Sequence, residues 1–316
     1  MKSHSILDTV PNEILDCIFC HLPTTVLLPL AGVSRRVRAV TLHILKRRLA
    51  RTVSAPDRRV MLECYHPAEK LYAPYLYCDY LGADPFTRKG GDGSGSDVGC
   101  LGGAYARFRP VESNEARSWA ERRSALWSRP WDADDDGGGD DGDDDDDLGN
   151  DRTQSRPYVD VFLDDDESFS QLCATTNIVQ LGPKPGLFRS HANISDGVLR
   201  VWRDWLGARA RAAAAWGGGE GGGRGAEATG DNGEDHEVVV LWADPYRNVG
   251  VRFRVTEKDI RGQHPVPVAN DDQRLVAYRL EFEELLVRST TLLVMAEKSE
   301  MQEFSPESKA VVYVCL

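Results

Sequence analysis

The chain lacks the ~18-residue apolar run that a membrane span needs. Its opening, MKSHSILDTVPNE, also lacks a secretory pattern: acidic residues interrupt any apolar core, and no small-residue cleavage site follows. Cytoplasm or nucleus is therefore the expected location, with no membrane partner. A paired cysteine framework is missing too. The seven cysteines (Cys17, Cys20, Cys64, Cys78, Cys100, Cys173, Cys315) are odd in number and scattered, which fits reduced thiols. Without a secretory route, the acceptor pattern Asn193-Ile194-Ser195 reads as chance. An excess of positive charge is absent. The net charge is −12, so the phosphate contribution to nucleic-acid binding would be repulsive and no nucleic-acid partner is expected. No repeat of fixed period points to a propeller or solenoid. The seven histidines are scattered, and no Ser/His/Asp or Cys/His order is readable, Cys64 and His66 included. The expectation is a non-catalytic protein without cofactor or metal.

The charge is unevenly spread. Residues 1–60 hold ten Lys and Arg against four Asp and Glu, a balance of +6, which leaves −18 for the rest. Three stretches carry charge or glycine with almost nothing to bury: 88–103, 132–156 and 217–236. They read as long flexible insertions. Between them the pattern is strand-like. Val249–Val255 and Val276–Phe282 alternate apolar and polar residues, as a half-buried strand requires. Val60–Tyr65, Tyr75–Leu81, Tyr158–Leu163, Val238–Trp242 and Thr291–Met295 are short apolar or β-branched runs, also read as strands. Val198–Leu206 fits a helix nearly as well as a strand. The fold class expected is α+β: a small three-helix unit at 5–50, then a mainly antiparallel sandwich or barrel over 56–316.

The helical unit is read from ILDTVPNEILDCIFCHLPTTVLLPLAGVSRRVRAVTLHILKRRL at residues 6–49. Pro11 suits a helix's first turn, with Asn12, Glu13 and Asp16 at the positive end of the dipole. Ile14, Leu15, Ile18, Phe19 and Leu22 form a wide apolar stripe, and Pro23 ends the helix. Thr24 or Thr25 can cap a second helix bearing Val26, Leu27, Leu28 and Leu30, ended by Gly32. Ser34 can cap a third, bearing Val37, Val40, Leu42, Ile44, Leu45 and Leu49. Its basic residues Lys46, Arg47, Arg48 and Arg51 read as a solvated face. So short a unit cannot bury all this aliphatic surface internally. It must either cap the β domain or dock on a partner.

The order Val10-Pro11, Glu13-Ile14-Leu15, Ile18-Phe19, Leu22-Pro23, Leu27-Leu28, Leu30, Val33-Ser34-Arg35-Arg36 resembles the F-box. Val10 stands where that family usually has Leu, Val37 where it often has Trp, and Pro29 follows Leu28. Residues 61–81 and 238–297 are similar to the C-terminal region of filamentous-fungal F-box proteins. The resemblance implies a substrate-recognition subunit of an SCF-type ubiquitin ligase. The F-box would dock on a Skp-type adaptor, and through it on cullin and RING subunits, while the rest holds a protein substrate. Positions matching the adaptor-contacting motif are Pro11, Ile14, Leu15, Ile18, Leu22, Pro23, Leu27, Leu28, Val33 and Ser34. Two alternatives stay open. One is an F-box module acting without cullin. The other is a β-sandwich, with glycans as one ligand class, under a structural helical cap. Trp202, Trp205, Trp242 and Tyr246 are compatible with a sugar platform, although aromatic residues of a β domain more often belong to the core.

Three motifs mimic chemistry. Cys17-Ile18-Phe19-Cys20-His21 spells the haem-attachment pattern CxxCH, but it lies within the first helix, and no second pair completes a zinc site. Asp132 to Asp143 mimics an EF-hand loop, with Asp at the twelfth position in place of Glu and Gly139 at the apolar eighth; it reads as a solvated acidic loop. GGGEGGGRG at 217–225 lacks the GK[ST] ending of a phosphate loop.

Overall fold

The computed structural model describes residues 10–69, 74–86, 103–112, 156–183, 187–217, 239–258, 276–303 and 311–312. The three expected insertions lie outside these residues apart from Gly103, Arg156 and Gly217; so does the EF-hand-like loop.

The N-terminal part forms α1 (Asn12–Phe19), α2 (Thr24–Leu30) and α3 (Arg35–Ser54). Pro11 sits just before α1, at φ −56° and ψ 151°, instead of in its first turn. The helix ends at Phe19, before Pro23. Leu22 lies in the turn beyond, where the His21 and Leu22 N–H groups donate to the carbonyls of Ile18 and Phe19. Pro23 holds the cap position of α2, so Thr24 is its first residue and neither threonine caps it. Ser34 does cap α3: its Oγ accepts from the Val37 N–H at 3.2 Å.

The β domain follows as β1 (Arg58–Tyr65), β2 (Leu76–Ala83), β3 (Tyr105–Glu112), β4 (Tyr158–Leu163), β5 (Phe169–Leu181) and β6 (Leu187–Trp202). Then come α4 (Arg203–Gly217), β7 (Leu241–Trp242), β8 (Val249–Lys258), β9 (Val276–Arg288), α5 (Ser289–Glu303) and β10 (Val311–Val312). The ten strands form one sheet in the order β10-β6-β5-β1-β2-β3-β9-β8-β7, with β4 also paired to β9. Every pairing among the described strands is antiparallel. The architecture is thus α+β with one nearly closed, barrel-like sheet. Thr291–Met295, expected as a strand, lies in α5. Val198–Leu206 divides at Trp202, strand before and helix after.

Bulges bend the long strands. Thr176 faces Ser195 and Asn177 faces Asn193, so Ile194 is the extra residue and both Ile194 and Ser195 turn inward. At the seam, β7 comes against β6. A Cβ added to Gly197 would lie 2.0 Å from the Ala243 carbonyl oxygen, so only glycine permits this approach. Gly250 likewise leaves room for the Trp242 ring.

One apolar core runs through the molecule. It includes Leu15, Phe19, Leu27, Ile44 and Leu45 from the first three helices and continues through Leu62, Leu172, Leu199, Val251 and Leu280 of the sheet. Helix α5 is the bridge, packing on β5 and β6 and on α2 and α3. Leu292, Leu293, Ala296 and Ser299 form its buried stripe, at helical spacing. The small Ala296 and Ser299 allow close approach, and Ser299 Oγ meets Ser190 Oγ of β6 at 2.5 Å.

Candidate functional site

The helical unit divides its apolar residues between two directions. Leu15, Phe19, Leu27 and Val37 face the core and are buried. Ile14, Ile18, Val26 and Val33 are 50%, 52%, 43% and 60% exposed. Of the residues matching the adaptor motif, Leu15 and Leu27 are therefore intrachain core. Pro11, Ile14, Ile18, Pro23 and Val33 are exposed, while Leu22, Leu28 and Ser34 are half-buried, with Ser34 engaged as a cap. Val26 was not among the expected positions. Its place at i−1 to the buried Leu27 marks it as outward only once the helix boundary is known.

A polar clamp ties this unit to the β domain. The Glu297 carboxylate of α5 accepts from the Thr24 N–H (2.9 Å to Oε2) and from Thr24 Oγ1 (2.5 Å to Oε1). It thereby caps α2 from another element, placing negative charge at the helix N-terminus. Arg48 of α3 donates to Glu297 Oε1 at 2.7 Å, to Thr24 Oγ1 at 3.1 Å, and to the carbonyls of Cys20 (3.0 Å) and Leu22 (2.5 Å). One guanidinium so satisfies the end of α1, the start of α2 and the carboxylate of α5. Arg48 is structural and not part of a solvated basic face; Lys46, Arg47 and Arg51 are exposed, with Arg47 paired to Asp16 at 3.1 Å. Beside the clamp lies a groove of about 610 Å³, bordered by His21, Leu22, Arg51, Leu293 and Met301.

A second region lies on the outer face of the sheet at the seam. Of Trp202, Trp205, Trp242 and Tyr246 none is fully buried: Trp202 is 49% and Tyr246 76% exposed, Trp242 is half-buried, and the half-buried Trp205 packs against the core. A groove of about 470 Å³ is lined by Gln171, Val198, Arg200, Leu241 and Trp242. Gln171 faces Arg200 and Phe169 faces Trp202 across β5 and β6. The rings of Phe169 and Trp202 lie 5.0 Å apart, and Arg200 sits 5.8 Å over the former. On the other side, Arg247 sits 5.8 Å over Trp242, whose ring is 5.2 Å from Tyr105.

The remaining candidate groups are quiet. Burial pushes the thiols of Cys64 and Cys78 well above the usual range, so neither is a thiolate at neutral pH. His66 accepts from the Ala68 N–H, closing a turn. Cys17 and Cys20 lie on and just after α1, where the Cys20 thiol donates to the Cys17 carbonyl at 3.0 Å. Asn193 of the acceptor pattern sits mid-strand, its amide donating to Asn177 Oδ1 at 3.0 Å. Among the described residues, no three His, Cys, Asp or Glu side chains gather as metal ligands. No helix among them is long and apolar enough to cross a membrane.

No protein-family model, curated protein or solved structure matches this chain.

Proposed function

We propose that this chain is a receptor subunit of an SCF-type ubiquitin ligase. The α1–α3 unit docks on a Skp-type adaptor, and through it on cullin and RING subunits, while the barrel-like domain holds a protein target. The chain supplies binding and position, not reacting groups: its contribution to rate is to hold a target lysine near the ubiquitin thioester. The observation that supports this reading is the outward apolar set Ile14, Ile18, Val26 and Val33 on helices whose other apolar residues already anchor them to the core. Aliphatic side chains at these exposures keep about half of their surface in water, apolar area that an interface would desolvate.

The same anchoring means that the helices also belong structurally to the β domain. The two roles are compatible, since a rigid joint fixes the angle between adaptor and target.

The test uses Ile14→Asp with Ile18→Asp, two exposed positions that leave the core intact. Co-purification with the Skp-type adaptor falls by at least about tenfold, while circular dichroism and melting temperature stay unchanged. Unaltered recovery of the adaptor overturns the docking face. Recovery of the adaptor without cullin assigns the chain to an assembly outside proteolysis.

A further inference from the structure

We propose that the seam groove between β5–β6 and β7 is the target-binding site, and that it takes an extended acidic peptide segment carrying an apolar side chain. The inference deepens the receptor reading and rests on it for its role. Three observations converge on this site.

The first is charge. Arg200 and Arg247 each lie over an aromatic ring, and neither has a carboxylate partner among the described residues. Two arginines elsewhere on the barrel surface are paired, Arg252 with Glu284 and Arg279 with Asp160. In a chain of net charge −12, Arg200 in the groove's lining and Arg247 over its Trp242 bring together two guanidiniums that have no carboxylate partner among the described residues, a local cationic site that suits carboxylates.

The second is the apolar floor. Val198 is 45% exposed, and it shares the groove with Leu241 and Trp242. Trp202 and Tyr246 stand exposed beside it. Such a surface accepts an aromatic or aliphatic anchor between the charged ends.

The third is rigidity. The turn that carries Tyr246 and Arg247 is over-determined. Asp244 Oδ2 accepts from Ser195 Oγ (3.2 Å) and from the N–H groups of Asn248 (3.0 Å) and Val249 (3.1 Å). Tyr105 donates to the Arg247 carbonyl at 3.0 Å, and Arg288 donates to the carbonyls of Tyr246 and Arg247. Arg247 itself has φ 55°, a left-handed conformation that non-glycine residues adopt only when their surroundings hold them there. An exposed tyrosine and arginine on so fixed a turn lose little entropy on binding.

An arginine-aromatic surface can also stack single-stranded nucleic acid. The overall negative charge disfavours a long polyanion, whose repulsion accumulates with length, far more than a short acidic segment. A neutral glycan would leave both guanidiniums without counter-charge.

The experiment presents the full chain to an array of short synthetic peptides in acidic, neutral and basic sets, each with Trp, Phe or Leu varied at the centre. Titrations of a poly-dT oligonucleotide and of a panel of neutral oligosaccharides run in parallel. The acidic set with an aromatic or leucine centre binds, and its glutamine-for-glutamate counterparts bind at least about tenfold more weakly. Arg200→Glu with Arg247→Glu abolishes that binding at an unchanged melting temperature, while Arg200→Lys with Arg247→Lys keeps part of it. Binding independent of peptide charge, or insensitive to both arginine variants, overturns the proposal. Oligonucleotide or glycan binding at this groove in place of acidic peptide does so too. No adaptor enters the assay, so failure here and failure of the docking face are read separately.

Discussion

Replacing Arg48 by methionine keeps the aliphatic stem and removes one guanidinium from the joint between α1, α2, α3 and α5. Four polar atoms lose a partner: Glu297 Oε1, Thr24 Oγ1 and the carbonyl oxygens of Cys20 and Leu22. At 2.7 Å the bare ion-pair attraction is about 6 kcal/mol at an effective dielectric of about 20, and about 1.5 kcal/mol in water. The two side chains are 17% and 25% exposed, so the site lies between these limits. Desolvation and side-chain ordering offset part of the attraction, and the two carbonyls keep access to water once the guanidinium leaves. We expect Arg48→Met to cost ~2–3 kcal/mol and Glu297→Gln ~1–2 kcal/mol. The double variant should cost less than their sum, with a coupling of at least ~1 kcal/mol. Denaturant unfolding supplies these values. Hydrogen exchange adds location: amides of α1 and α2 lose protection in Arg48→Met while those of β8 and β9 keep theirs. A coupling below ~0.5 kcal/mol, or equal loss of protection across the sheet, refutes the account of Arg48 as the joint.

Three further outcomes are expected. Gly197→Ala sets a Cβ 2.0 Å from the Ala243 carbonyl oxygen, a backbone atom that cannot swing away, and should lower stability by ~2 kcal/mol or more in a thermal melt; a neutral result would mean that β6 and β7 are not in contact. Asp160 lies part-buried, which by itself raises its pKa, but hydrogen bonds from Arg279 and Lys258 outweigh that and hold the carboxyl below its ordinary value. Its stabilisation is thus present above the unfolded pKa and lost as pH falls through the lower folded value, so Asp160→Asn should cost ~1 kcal/mol at neutral pH and flatten the acid limb of the stability profile below about pH 4. An unchanged acid limb would refute it. Alkylation by iodoacetamide should label the exposed Cys17 in the native chain and reach Cys64 and Cys78 only on unfolding, as read by peptide mass spectrometry; native labelling of either buried thiol would contradict its placement.

Much of the molecule is legible from local pattern. Val249–Lys258 and Val276–Arg288 alternate because one face is buried, and the period survives in sequence. Ser34 announces the start of α3 because a cap acts on a hydrogen bond three residues away. What misleads is short-range ambiguity. Thr291–Met295 is β-branched and apolar, hence strand-like, over five residues. Its helical stripe appears only when Ala296 and Ser299 are included, one small and the other polar. Helix α4 is carried by alanine, whose helix preference leaves no apolar stripe for periodicity to detect.

The sequence by itself determined that a compact apolar helical unit precedes a strand-rich domain, because capping and alternation depend on residues within a turn or two of one another. Only the tertiary structure decided which way each side chain faces. Leu15 and Ile14 are neighbours of like chemistry, yet one is core and the other is exposed because α3 and α5 cover one side of α1–α2 and leave the other bare. Arg48, expected on a solvated face, became the joint because Glu297, 249 positions away in the chain, folds back onto it. Trp242 and Arg200 meet at a groove only because a sheet edge curls round to Gly197. Each of these depends on chain closure over long separations, which no local period encodes.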